Sequence, residues 1–163
     1  TISQLEELKA TVRDAGCIVG LPSCSIMKPM LILYRLTGDK KYLDFCLQIA
    51  KDWDREDNKA PNLIKNALSD KSPANWCEGD PDYIAKAYEM MSCFDGICEL
   101  YRLTGDEHLL VATEKFWELV RRDESNILGS VGYCERFWRI HLDFFCKREY
   151  DIVVISVIFK LIF

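Results

Sequence analysis

Hydrophobic residues recur at helical spacing along most of this chain. Near its start, Leu5, Leu8 and Val12 fall on one face of a predicted helix, for which Ser3 is a suitable capping residue and Gly16 a suitable end. Because the polar residues between them fall on the opposite face, this segment is predicted to be an amphipathic helix that packs against other helices.

Four longer stripes of the same kind follow, and they are separated by turn residues. Between residues 54 and 81 the pattern stops, because charged residues and three prolines interrupt it. We therefore expect a long loop there, with a short helix near 62–68, and loops of this length in compact domains often carry function. The four longer predicted helices cover about residues 26–36, 42–53, 82–103 and 107–122.

An internal repeat organises these helices. The sequence LYRLTGD at residues 33–39 recurs at residues 100–106, an offset of 67 residues. Each copy ends one predicted helix at a glycine and begins the next at an aspartate, which are favoured residues for those two positions. A repeat that spans two helices predicts stacked α-helical hairpins, as in an open solenoid or a closed toroid.

The C-terminal part has a different character. A glycine-bearing segment at 129–132 leads to an aromatic stretch around Glu135, and residues 151–163 are β-branched and almost without charge. That last run is too short to span a bilayer as a helix. It fits a buried strand, an edge strand or an aggregation-prone tail, and it departs from the helical pattern before it.

Composition and charge narrow the class of protein. A net charge of -5, with no basic stripe, disfavours nucleic acid and anionic membrane as partners. The chain has 8 cysteines, but several lie within apolar helical stripes and none forms a C-x-x-C pair, which favours buried reduced thiols over a zinc knuckle. Together with the lack of a visible signal peptide, this pattern favours a cytoplasmic location.

Candidate chemistry lies in the two irregular segments. Glu135 is flanked by aromatic residues, and an apolar setting disfavours the ionised carboxylate, which is how a general acid arises. The alternative is a surface glutamate or an ion-pair partner. Trp76 and Glu78 combine an aromatic platform with an acidic acceptor, as sugar sites do, although solvated loops have similar mixtures. His141 near Cys146 does not define a metal site, so we expect none.

These residues resemble a known family. Pro29-Met30, the first LYRLTGD copy and Tyr42-Leu43 look like the early toroid helices of the β-L-arabinofuranosidase-like glycoside hydrolases (glycoside hydrolase family 127). The stretch from Ala87-Tyr88-Glu89 through the second copy is similar to another block of that family. Residues 129–137 resemble its glycine-rich loop ending in G-E-x-F, with Cys134 where the family has glycine.

The resemblance implies an all-α fold, an (α/α)6 toroid of helical hairpins around a sugar-binding cleft, of which this chain would hold part. It implies that Glu135 is the general acid/base. The family also uses zinc and a thiolate nucleophile from a downstream E-T-C block and a later cysteine, and we find no such block after Phe137. We therefore expect a truncated member with residues 1–137 as the partial toroid domain, a divergent segment at 138–163, and an incomplete site without zinc.

Three functions remain open at this point. The first is hydrolysis of arabinofuranose-containing glycans, and the second is a non-catalytic helical-repeat module that binds carbohydrate or another protein. The third is another toroid activity, such as a lyase or an epimerase; the two scattered histidines disfavour an epimerase. Because terminal repeats need polar caps, a partial ring would pair through its exposed hairpin faces with a second copy or with a missing part of the enzyme. The apolar tail is a further candidate to cover one such face.

Overall fold

Helices dominate the part of the chain that the computed structural model describes, which comprises residues 26–56, 62–76, 87–125 and Phe137. The α-helices are α1 (Met27–Thr37), α2 (Lys40–Trp53), α3 (Leu63–Leu68), α4 (Ala87–Thr104) and α5 (Glu107–Leu119). A 3-10 turn (Pro73–Asn75) and a π-helical turn (Val120–Glu124) complete them. The all-helical prediction is confirmed for these residues, whereas the helix predicted before Gly16 and the apolar run at 151–163 lie outside them.

The repeated sequence builds two matching corners, one between α1 and α2 and one between α4 and α5. Gly38 and Gly105 have positive φ angles of 71° and 70°. Their backbone N–H groups donate to the carbonyls of Tyr34 and Tyr101, at 2.8 and 2.7 Å. A left-handed residue in this position satisfies an orphan carbonyl and ends a helix, and glycine adopts it without a Cβ penalty.

The residues on either side of each glycine complete the corner. Thr37 and Thr104 donate their hydroxyls to carbonyls one turn earlier, and Asp39 and Asp106 begin the next helices. Each aspartate accepts a hydrogen bond from the backbone N–H two residues later, at 3.1 Å in both copies. The repeat is therefore a structural repeat and sets the direction of the chain at both corners.

Replacing either corner glycine by alanine is expected to lower stability by about 1 kcal/mol, because an L-residue is strained at this φ. Neither site has atoms within 4 Å of an added Cβ, so the strain is confined to the backbone. Gly38→Ala and Gly105→Ala should therefore have similar effects, and the double variant should show their sum. Urea unfolding measures this; a neutral result at one corner would contradict the equivalence of the two.

The two hairpins pack through their first helices, α1 and α4. Gly96 lies against Met27, and a Cβ added to Gly96 would approach the Met27 Cβ to 2.8 Å. Lys28 and Asp95, which occupy the same position in the repeat, form an ion pair at 2.8 Å. Repeating units therefore stack directly on each other, as the repeat predicts, and this arrangement is compatible with an α/α toroid.

A buried carboxylate joins the same two helices. Glu99 of α4 is 5% exposed, and its two oxygens accept from Arg35 at 2.7 Å and from Arg102 at 3.2 Å. Both arginines belong to the LYRLTGD repeat. Burial of a carboxylate is tolerated when such charge-assisted hydrogen bonds satisfy it. This second contact between α1 and α4 therefore also depends on residues of the repeated sequence.

The short helix α3 is attached to the end of α2. Asn62 donates its backbone N–H to the Trp53 carbonyl at 2.7 Å, and the Asp54 carboxylate accepts from the N–H groups of Ile64 and Lys65. Burial raises the pKa of Asp54 despite these bonds. The helix predicted near 62–68 is thus confirmed, and it packs on α5. None of the described helices has the length and apolarity needed to cross a bilayer.

Candidate functional site

Two stacked phenylalanines, one on α4 and one on α5, lie far from the corner that joins these helices. Phe94 precedes Gly105 by 11 residues and Phe116 follows it by 11, so the two side chains meet across the antiparallel helices. At 1.5 Å rise per residue they lie roughly 16 Å from the corner. Their rings stack with centroids 3.8 Å apart and an interplanar angle of 8°.

Two aromatic residues from irregular segments pack on this pair. Trp76, just after the 3-10 turn, has its ring centroid 6.0 Å from that of Phe94 and 5.7 Å from that of Phe116. Phe137 meets Phe116 edge-on at 6.2 Å. Such tilted and edge-to-face pairs add stability beyond area burial. The four rings, named here the aromatic cluster, join both irregular segments to the hairpin.

Burial defines what Trp76 can do. Its side chain is 8% exposed, and its indole N–H donates to the Lys71 carbonyl at 2.7 Å. The indole therefore holds its own segment against α4 and α5. Its assignment as a sugar platform stays a prediction, because a platform also needs one ring face open to a ligand.

A buried glutamate anchors the same segment from the other side. Glu124, in the π-helical turn after α5, is 0% exposed. Its Oε1 accepts from the Ser72 hydroxyl at 2.9 Å and from the Ala74 N–H at 3.1 Å. Nearby, Arg122 reaches Asp70 at 3.2 Å. Sequence reasoning missed Glu124, since it follows Arg121-Arg122-Asp123 and resembles part of an exposed charged stretch.

Glu124→Ala is expected to lower the free energy of unfolding by about 2–4 kcal/mol, because two donors lose a buried acceptor and a cavity forms. Ser72→Ala, which removes only one of the two hydrogen bonds, should cost about 1 kcal/mol. Urea unfolding of both variants provides the comparison. Equal losses in the two variants would show that the carboxylate does not hold the segment.

The predicted catalytic and binding residues lie beside these anchors in the sequence. Glu78 follows Trp76 by two residues and Glu135 precedes Phe137 by two. Both glutamates lie outside the described residues, so only their described neighbours are placed. Those neighbours, Trp76 and Phe137, both contact Phe116. His108 is described and is exposed at the start of α5, away from the cluster in sequence.

The described residues do not provide a zinc site or a reactive thiol. Across residues 26–56, 62–76 and 87–125, no group of three His, Cys, Asp or Glu side chains could hold a metal. The described cysteines, Cys46, Cys93 and Cys98, are buried and form no disulfide bond. Burial raises the pKa of Cys46 to about 12 and also raises that of Cys98, so neither is a thiolate near neutral pH.

Comparison with known proteins identifies the class as glycoside hydrolase. The family model described as beta-L-arabinofuranosidase, GH127 catalytic domain, matches residues 9–143, which is most of the chain. The chain belongs to this family, as the sequence motifs predict. Searches of curated proteins and of solved structures found no match.

Proposed function

We propose that this chain acts on, or binds, arabinofuranose-containing glycans through a site formed where the Trp76 segment meets the glycine-rich loop. One observation carries the proposal: Trp76 and Phe137 pack on the same ring, that of Phe116, within 6.2 Å. These two residues each lie two positions from a glutamate, Glu78 and Glu135. The aromatic cluster supports the proposal because it holds Trp76 and Phe137, the described neighbours of those glutamates, against the second hairpin.

In this proposal Glu135 is the general acid/base. Its role is to protonate the glycosidic oxygen as the bond to the sugar breaks. An aromatic setting suits this role, since desolvation favours the protonated carboxyl that donates. Glu78 would accept hydrogen bonds from sugar hydroxyls, and Trp76 would shape the wall of the site from beneath. Hydrolysis by retention also needs a nucleophile, and the described cysteines, all buried, do not supply one.

The second candidate is a non-catalytic module that keeps the carbohydrate cleft. It is favoured by the described thiols, which are all buried and so do not offer a nucleophile. In such a module the retained cleft binds sugar without cleaving the glycosidic bond. We further propose residues 1–137 as the toroid-derived domain and residues 138–163 as a divergent segment. We also propose a reducing cytoplasmic location, which suits buried cysteines that form no disulfide bond.

The test is to incubate the protein with an aryl β-L-arabinofuranoside, zinc and a reductant, and to measure methyl β-L-arabinofuranoside binding by calorimetry. Turnover supports the hydrolase, and saturable binding without turnover supports the module. Methyl β-D-glucopyranoside serves as the control ligand, and it should not bind under either candidate function. Absence of both turnover and binding of the arabinofuranoside would contradict the proposed site.

A further inference from the structure

One face of α1 is apolar and exposed. Ile32, Leu33 and Leu36 are 43%, 37% and 77% exposed, and Pro29 is exposed beside them. Their spacing, i, i+3, i+4 and i+7, places them on a single stripe of the helix. We name these four residues the α1 stripe. A contiguous stripe of this kind on a helix normally faces another element.

The repeat shows what kind of element covers such a stripe. Moved by the 67-residue offset, the α1 stripe falls on Gly96, Glu99, Leu100 and Leu103 of α4. On α4 these positions are covered: Gly96 by Met27 and Glu99 by Arg35, both from α1. The equivalent positions of the second unit are thus occupied by the helix of the unit before it. By the same stacking, a helix fits the α1 stripe. The offset alone does not select that helix, because residues 1–16 correspond to residues 68–83 of the second unit, so the occupant is inferred from the apolar pattern and reach of the chain before α1.

We propose that the α1 stripe is the docking surface for the N-terminal segment of the same chain, residues 1–16. That segment carries a matching apolar stripe, Leu5, Leu8 and Val12, at helical spacing. Nine residues, 17–25, connect it to the start of the described chain and can span roughly 30 Å. Since α1 is only about 16 Å long, the connection reaches every point of the stripe.

Two other occupants fit less well. A second copy of the chain would bury only four side chains per partner at this stripe, whereas stable interfaces use about 20–30 residues on each side. A tethered segment needs far less area, because its effective concentration is high. The apolar run at 151–163 is rich in β-branched residues, which favour strands, whereas the repeat places a helix on this surface.

The test compares two substitutions that look equivalent in the described structure. Ile32 and Val111 are β-branched residues on helices, with exposures of 43% and 42%. If the segment covers the α1 stripe, Ile32→Asn should lower the melting temperature by about 3–5 °C more than Val111→Asn. Leu8→Asn should lower it similarly, whereas Ala10→Asn, on the opposite face of the predicted helix, should have a smaller effect.

Coupling between the two surfaces completes the test. Leu8→Asn combined with Ile32→Asn should cost little more than either alone, because each removes the same contact. Equal effects of Ile32→Asn and Val111→Asn would overturn the proposal. A neutral Leu8→Asn would also overturn the proposal when it is accompanied by either of two findings. One is a mass change of Ile32→Asn in light scattering, which assigns the stripe to a second copy. The other is loss of the Ile32→Asn effect on deletion of residues 151–163, which assigns the stripe to the apolar run.

Discussion

Phe116→Ala is expected to lower the free energy of unfolding by about 3–5 kcal/mol, because it empties the centre of the aromatic cluster. The side chain is 1% exposed and contacts the rings of Phe94, Trp76 and Phe137. Its removal leaves a cavity bounded by three rings from three segments, which cannot all collapse onto it. Urea unfolding measures the loss of stability. Phe116→Leu should lose less than half as much stability as Phe116→Ala.

Phe45→Ala is the matched control, since Phe45 is also 1% exposed but lies in α2 and has no ring contact with the cluster. It should cost a similar amount of stability. The near-UV circular dichroism signal of Trp76 is the signal that is lost in Trp76→Phe. This signal should change in Phe116→Ala and Phe116→Leu but not in Phe45→Ala. If the Phe116 variants alter the Trp76 signal no more than Phe45→Ala does, Phe116 does not connect the two irregular segments to the hairpin.

Glu135→Gln is expected to reduce turnover of an arabinofuranoside by about 10²–10⁴-fold in any preparation that shows turnover, because an amide cannot protonate the leaving oxygen. Binding of the sugar should be retained, since the amide preserves the shape of the side chain. Loss should be greatest for poor leaving groups such as methanol, and smaller for nitrophenol, which departs without protonation. Steady-state kinetics on both substrates separate these effects.

Glu118→Gln provides the control for that substitution. Glu118 is a 59% exposed side chain on α5, paired only at the surface with Lys115, and its replacement should leave turnover unchanged. An equal loss for methyl and nitrophenyl substrates in Glu135→Gln would assign Glu135 a role other than that of acid. Full activity of Glu135→Gln would remove it from the catalytic machinery.

Local features of the fold could be predicted from the sequence because nearby residues determine them. The two corners follow from Thr-Gly-Asp, since the glycine conformation and the aspartate cap involve contacts within five residues. The short helix near 62–68 is also confirmed, as Leu63–Leu68. The stacking of one hairpin on the other was predictable only because the sequence repeats.

Features set by distant contacts were not predictable. The predicted helix 107–122 ends as an α-helix at Leu119 and continues as a π-helical turn. In that turn Glu124 binds Ser72 and Ala74, about 50 residues away, and no local pattern indicates this. The burial of Trp76 was also not predictable, because Trp76 contacts Phe94 and Phe116, which lie on the helices of the second hairpin and are distant in sequence. The sequence predicted the loop but not that its tryptophan faces the core.

The most direct measurement is a titration of the Glu135→Gln variant with methyl β-L-arabinofuranoside, followed through the indole N–H resonances of the tryptophans by nuclear magnetic resonance. The proposed site predicts that the resonance of Trp76, whose N–H donates to the Lys71 carbonyl, shifts with saturation. The resonance of Trp53, which is 4% exposed in α2, should stay in place. Saturable shifts that leave Trp76 unmoved, or no shift at all, would contradict a sugar site at the aromatic cluster.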